Sequence, residues 1–140
     1  MPLLPILIAE DDDDDALVLR RLLVENGVRN PIHRVCDGEE ALAYLKGEGS
    51  FSNRSLCDTP AVFLLDWFMK RTSGMEVLDW IKTQSKPNFP IVVLTGIANL
   101  NELREAYQRG AYSFLVKPFT KADLLELIDK FKNIEVGPVP

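Results

Sequence analysis

Short apolar runs alternate along the chain with longer stretches of helical periodicity. Residues 6–9 (Ile-Leu-Ile-Ala), 61–65 (Ala-Val-Phe-Leu-Leu), 91–94 (Ile-Val-Val-Leu) and 113–116 (Ser-Phe-Leu-Val) carry no charge. Runs this short, bounded by turn residues, read as strands buried on both faces. Residues 31–36 form a less apolar strand, nearer the sheet edge. Between the runs, apolar residues recur at helical spacing. Ala16, Leu17, Leu19, Leu22 and Leu23 form one face, closed by Asn26-Gly27. Asp37 with Glu40 resembles a capping box before a short helix carrying Ala41, Leu42 and Leu45. Residues 47–59 lack periodicity and read as a long loop. Met75, Leu78, Trp80 and Ile81 mark the next helix, and Pro87 and Pro90 break the chain after it. A helix over 99–109 turns Leu100, Leu103, Ala106 and Tyr107 inward and stops at Gly110. Thr120 with Asp123 caps a last helix faced by Leu124, Leu127, Ile128 and Phe131, and residues 137–140 should be loose.

Strand and helix therefore alternate five times. That pattern implies an α/β fold, a parallel sheet with helices on both faces. Right-handed crossovers place all the carboxyl ends of the strands along one rim. Glu10, Asp11, Asp66, Thr95 and Lys117 each lie at or just after such an end. Ligand sites of open parallel sheets lie in the crevice at this edge.

Composition narrows the classes. A chain of 140 residues suits one domain with one core, over about residues 6–132. A net charge of −5, with no basic patch denser than Lys70-Arg71, argues against nucleic acid. No apolar run is long enough for a bilayer and the start does not resemble a signal peptide, so a cytoplasmic, soluble protein is expected. Cys36 and Cys57 make neither a disulfide framework nor a zinc spacing. His33 is the only histidine, which leaves no Ser/His/Asp triad to argue for; it reads as a structural or surface residue.

Three carboxylates on neighbouring strands repel one another unless a cation sits between them. Oxygen ligands with retained waters suit Mg²⁺. With Lys117 as an ammonium and Thr95 as a hydroxyl, the rim can hold a phosphoryl group, and Asp66 is its sensible nucleophile. Asp12 to Asp15 read as a solvated helix start that complements the helix dipole.

Glu10-Asp11, Asp66, Thr95 and Lys117-Pro118, in this order at strand ends, resemble the receiver domain of two-component response regulators. Asp66-Trp67, with Gly74 eight residues after Asp66, is similar to the CheY-like members. The long 47–59 loop is more like single-domain regulators of the phytochrome-associated type. The resemblance implies a flavodoxin-like, doubly wound (βα)5 fold with sheet order 2-1-3-4-5. It implies that Asp66 accepts a phosphoryl group from a sensor histidine kinase. Glu10, Asp11, Asp66 and the backbone carbonyl of Phe68 would hold Mg²⁺. Thr95 and Lys117 would bind phosphoryl oxygens, with Lys117-Pro118 cis. Phe114 would be an aromatic switch moving with Thr95, although an aromatic at that place reads equally as plain core, and Gly96 would leave the site open. The whole chain would be a single stand-alone receiver, with no attached output domain. Its target would meet the 99–133 face, through Arg104, Gln108, Arg109, Lys121 and Lys130, or that face would form a homodimer.

Two residues depart from the family pattern. Phe68 stands where many relatives have a polar residue, which implies slow loss of phosphate. Lys70 replaces a proline, which implies a looser loop. Trp67 and Phe68 read either as a partner-binding patch or as a lid. A phosphatase of the haloacid-dehalogenase type would need a second acid at position 68. A flavin module would need a phosphate-cradling loop where residues 10–15 are acidic. A receiver-like scaffold acting without phosphate remains the competing class.

Overall fold

The computed structural model describes residues 3–53, 59–84, 89–96 and 100–139; the expectations that fall on Cys57, Pro87 and Asn99 lie outside them. Strands β1 (Ile6–Ala9), β2 (Ile32–Val35), β3 (Val62–Asp66), β4 (Ile91–Thr95) and β5 (Ser113–Val116) alternate with helices α1 (Asp13–Glu25), α2 (Gly38–Lys46), α3 (Gly74–Thr83), α4 (Leu100–Gln108) and α5 (Lys121–Lys130). A single 3-10 turn, Gly49–Phe51, interrupts the long loop after α2. All strand pairs are parallel, in the order β2-β1-β3-β4-β5. This is the doubly wound order that the family resemblance implies, with β2 at one edge.

Side chains alternate across the sheet as the strand period demands. Ile6, Ile8, Val62, Leu64, Val92 and Leu94 pack on one face with Leu19 and Leu23 of α1 and Leu124, Leu127 and Ile128 of α5. Leu7, Ala9, Phe63, Leu65 and Val93 pack on the other with Ala41 and Tyr44 of α2, Val77, Leu78 and Ile81 of α3, and Ala106 of α4. Burying one such aliphatic side chain stabilises the fold by about 1.5–3 kcal/mol, so the central strands anchor everything at their ends.

The helix caps follow the local sequence. Asp12, Asp37, Ser73 and Thr120 each accept a hydrogen bond from the backbone N–H three residues on. The Thr120–Asp123 box is reciprocal. His33 is structural, with Nδ1 3.1 Å from the Tyr44 hydroxyl, and Cys36 is a free, exposed thiol.

Several inward assignments do not hold. Leu17 is exposed, because α1 buries the stripe of Ala16, Leu19 and Leu23 instead. Of the α4 residues only Ala106 is buried, while Leu100 and Tyr107 are exposed. Ala106 joins the core on one face of the sheet, while Tyr107 stands edge-on to Phe114 of β5. The tail is also not loose at its start. Val136 bridges Val28 antiparallel, Gly137 N–H donates to Gly27 O at 2.7 Å, and Arg29 N–H donates to Glu135 O at 2.8 Å. Asn30, 4% exposed, ties both ends of the chain together. Its amide donates to Leu4 O at 2.8 Å and Asn133 O at 2.9 Å, and its carbonyl accepts from Glu135 N–H at 2.7 Å.

Candidate functional site

Parallel register brings the rim residues together. Ala9 pairs with Leu65, Asp66 with Leu94 and Thr95 with Val116, so Glu10, Asp66, Thr95 and Lys117 follow one another across the sheet's carboxyl edge. Glu10 is fully buried, and Asp66 and Thr95 nearly so. One carboxylate oxygen each from Glu10, Asp11 and Asp66 lies within 4.8 Å of the other two. Lys117 Nζ donates to Glu10 Oε1 and lies 3.2 Å from Asp66 Oδ2. Phe68 N–H donates to Asp66 Oδ1 at 3.2 Å. Lys117 N–H donates to Thr95 O at 2.8 Å, and the Lys117-Pro118 bond is cis.

The electrostatics fit a divalent cation. Burial above all, and then the neighbouring Asp66 carboxylate, push Glu10 up to about 9, although Lys117 pulls the other way. Burial acts to neutralise Lys117, but its bonds to Glu10 and Asp15 and the Asp66 charge outweigh it, so the ammonium is held charged. Glu10 Oε2 is buried with no hydrogen-bond partner among the described residues. A buried carboxylate oxygen facing two more acids is what an oxygen-preferring cation such as Mg²⁺ would satisfy. When bound, such an ion would neutralise charge on phosphoryl oxygens.

Residues 6–129 match the family model of the response regulator receiver domain. The chain belongs to this family. Chemotaxis protein CheY-3 of Vibrio cholerae is 31% identical over 126 residues, covering 89% of this chain and 88% of the relative. The bacteriophytochrome response regulator AtBRR superposes with a TM-score of 0.84 at 31% identity, over 100% of both chains. The phosphorylated cyanobacterial phytochrome response regulator RcpA superposes at 0.77 with 28% identity, over 89% of this chain and 88% of that one. The protein is thus a CheY-like receiver domain of two-component signalling. No helix among its described residues is long and apolar enough to cross a membrane.

The loop after Asp66 of this receiver is closely held. Gly74 N–H donates to Trp67 O, and a Cβ on Gly74 would meet Asp66 O at 2.7 Å, so only glycine lets α3 start so close to β3. Trp67 is buried in the core under α2 and α3, and is neither patch nor lid, whereas Phe68 is exposed. Phe114 is half-buried, edge-on to Tyr107 at 6.2 Å between ring centroids. A Cβ on Gly96 would meet nothing within 4 Å among the described residues. Arg109 is drawn from the outer face into bonds with Asp79 and Glu105.

Three contacts escaped sequence reasoning. Arg34 on β2 grips the acidic turn, its guanidinium donating to Glu10 O at 3.1 and 2.9 Å and to Asp13 Oδ1 at 2.7 Å. Asp15 is more than a solvated residue of the helix start: its Oδ2 lies 2.9 Å from Lys117 Nζ. Arg71, at φ 65°, donates through Nε to Asp37 Oδ2 at 3.0 Å and pins the loop after Asp66 to the start of α2. Each joins residues from separate elements, and only strand register (for Arg34) or loop shape (for Arg71) hints at them.

Proposed function

We propose that this receiver accepts a phosphoryl group on Asp66 from the phosphohistidine of a sensor histidine kinase. An Asp66 oxygen bonds to phosphorus as the P–N bond breaks and the imidazole leaves with the electron pair. Glu10, Asp11, Asp66 and the Phe68 carbonyl would hold Mg²⁺, Lys117 and Thr95 would take phosphoryl oxygens, and Phe114 would move with Thr95. The observation that carries this reading is the buried convergence of Asp66 with Glu10, Asp11 and the Lys117 ammonium. Its similarity to RcpA, solved in a phosphorylated form, supports it.

The protein would act in the cytoplasm as a phosphorylation-controlled switch, without turnover of a released substrate, since Phe68 offers no acid for a leaving group. Its output would be a target protein or a second copy on the 99–133 face, where Leu100, Tyr107 and Tyr112 are exposed. The test is incubation with a small acyl phosphate and Mg²⁺, followed by intact mass. One added phosphate, lost in Asp66→Asn and on chelation of Mg²⁺, is expected. No adduct on the wild type would favour a phosphate-independent scaffold, and many turnovers would favour a phosphatase.

A further inference from the structure

Lys117 Nζ donates to Glu10 and Asp66 and pairs with the Asp15 carboxylate as an ion pair. An ammonium has three donors. Its Nζ faces three carboxylates: Glu10, Asp15 at 2.9 Å and Asp66 at 3.2 Å. Before Asp66 reacts, an incoming phosphoryl oxygen gains full contact with Lys117 only as one of these carboxylates gives way. Glu10 and Asp66 side chains are 1% and 6% exposed and belong to the three-acid cluster. The Asp15 side chain is 39% exposed and lies outside that cluster. Releasing Asp15 to water therefore costs least, because its carboxylate is already partly solvated.

Asp15 is carried on the first turn of α1, and its backbone N–H is held by the Asp12 side chain at 3.0 Å. The helix start thus keeps the carboxylate beside Lys117 without depending on that contact. We infer that Asp15 is an intramolecular competitor for Lys117, an anion in the place of the incoming phosphoryl oxygen that slows phosphorylation of Asp66. It acts through Lys117 and is a positioning residue. This inference rests on the phosphoacceptor reading of Asp66.

Initial rates of Asp66 phosphorylation by a small anionic acyl phosphate with Mg²⁺ test it. Asp15→Ala removes both the charge and the acceptors, while Asp15→Asn removes the charge but keeps one acceptor oxygen. Partly exposed pairs of this kind set the scale at roughly a two- to fivefold faster rate for Asp15→Ala at low salt. Asp15→Asn should fall between Asp15→Ala and wild type. The ratio to wild type should shrink as salt rises toward about 1 M, because the pair is partly exposed and salt weakens it. A purely structural role would lower the melting temperature and leave the ratio insensitive to salt. A wild type that is phosphorylated, with Asp15→Ala and Asp15→Asn no faster than it, overturns the competitor role alone. A wild type that never gains phosphate removes the reading of Asp66, and this inference with it.

Discussion

Replacing Gly38 with alanine should destabilise the protein, although the position is the first of α2 and its φ is not left-handed. On propensity alone, alanine is favoured over glycine in a helix by up to about 1 kcal/mol. Here the added Cβ would stand 1.9 Å from Thr72 O and 2.6 Å from Thr72 C and Cβ. Ordinary carbon–oxygen contacts lie near 3.3 Å or beyond, so Thr72 or the helix start must recede by more than about an ångström. Neither is free to do so. Asp37, just before Gly38, is bonded to both Glu40 N–H and Arg71, and Thr72 sits between Arg71 and the Ser73 cap of α3. Overpacking of this kind costs typically about 1–3 kcal/mol. For a chain of this length that is a fall in Tm of about 4 °C per kcal/mol. Thermal and urea denaturation of Gly38→Ala beside Gly96→Ala, whose Cβ meets nothing within 4 Å among the described residues, make the measurement. Because Thr72 shares its loop with Phe68, Gly38→Ala should also weaken Mg²⁺ binding, followed by calorimetry. A Gly38→Ala protein as stable as wild type, or more so, would refute the close packing of this loop on α2.

Asn30→Ala should cost about 2–3 kcal/mol in urea unfolding, because it strands three backbone groups that Asn30 now satisfies; a loss below half a kcal/mol would mean the chain ends are not joined there. Burial pushes the Asp37 carboxyl up, but the Glu40 N–H and Arg71 outweigh it and hold the group below its ordinary 3.8. Its folded value is thus depressed, so the stability it adds is present above about pH 4 and is lost as pH falls through the folded value. Asp37→Asn, which can still cap α2, should flatten the acid limb of a stability–pH curve, and an unchanged limb would contradict the pairing. Phe68→Asn should shorten the phosphorylated lifetime by giving attacking water a hydrogen-bonding partner, as read by loss of the mass adduct. A variant lifetime equal to or longer than that of wild type would rule this out.

The hydrophobic runs sufficed for the sheet, because a strand buried on both faces needs apolar residues throughout and this chain has such runs at β1, β3 and β4. Five alternations of strand and helix then set the common rim, because crossover handedness leaves little choice. The acids, the threonine and the lysine were legible for that reason: each sits at the end of an apolar run. Helix faces were less legible. Leu17, Leu100 and Tyr107 have helical spacing, yet all three are exposed, because spacing marks a face without recording how far its neighbours cover it.

Contacts between loops were decided by tertiary structure alone. Asp15 against Lys117, Arg34 on the Glu10 carbonyl, Arg71 on Asp37 and Val136 beside Val28 join residues from separate elements. A periodic pattern records which side of an element faces the core. It carries no record of which charged side chain, at the end of one element, lies within 3 Å of another, since that depends on how every turn between them packs.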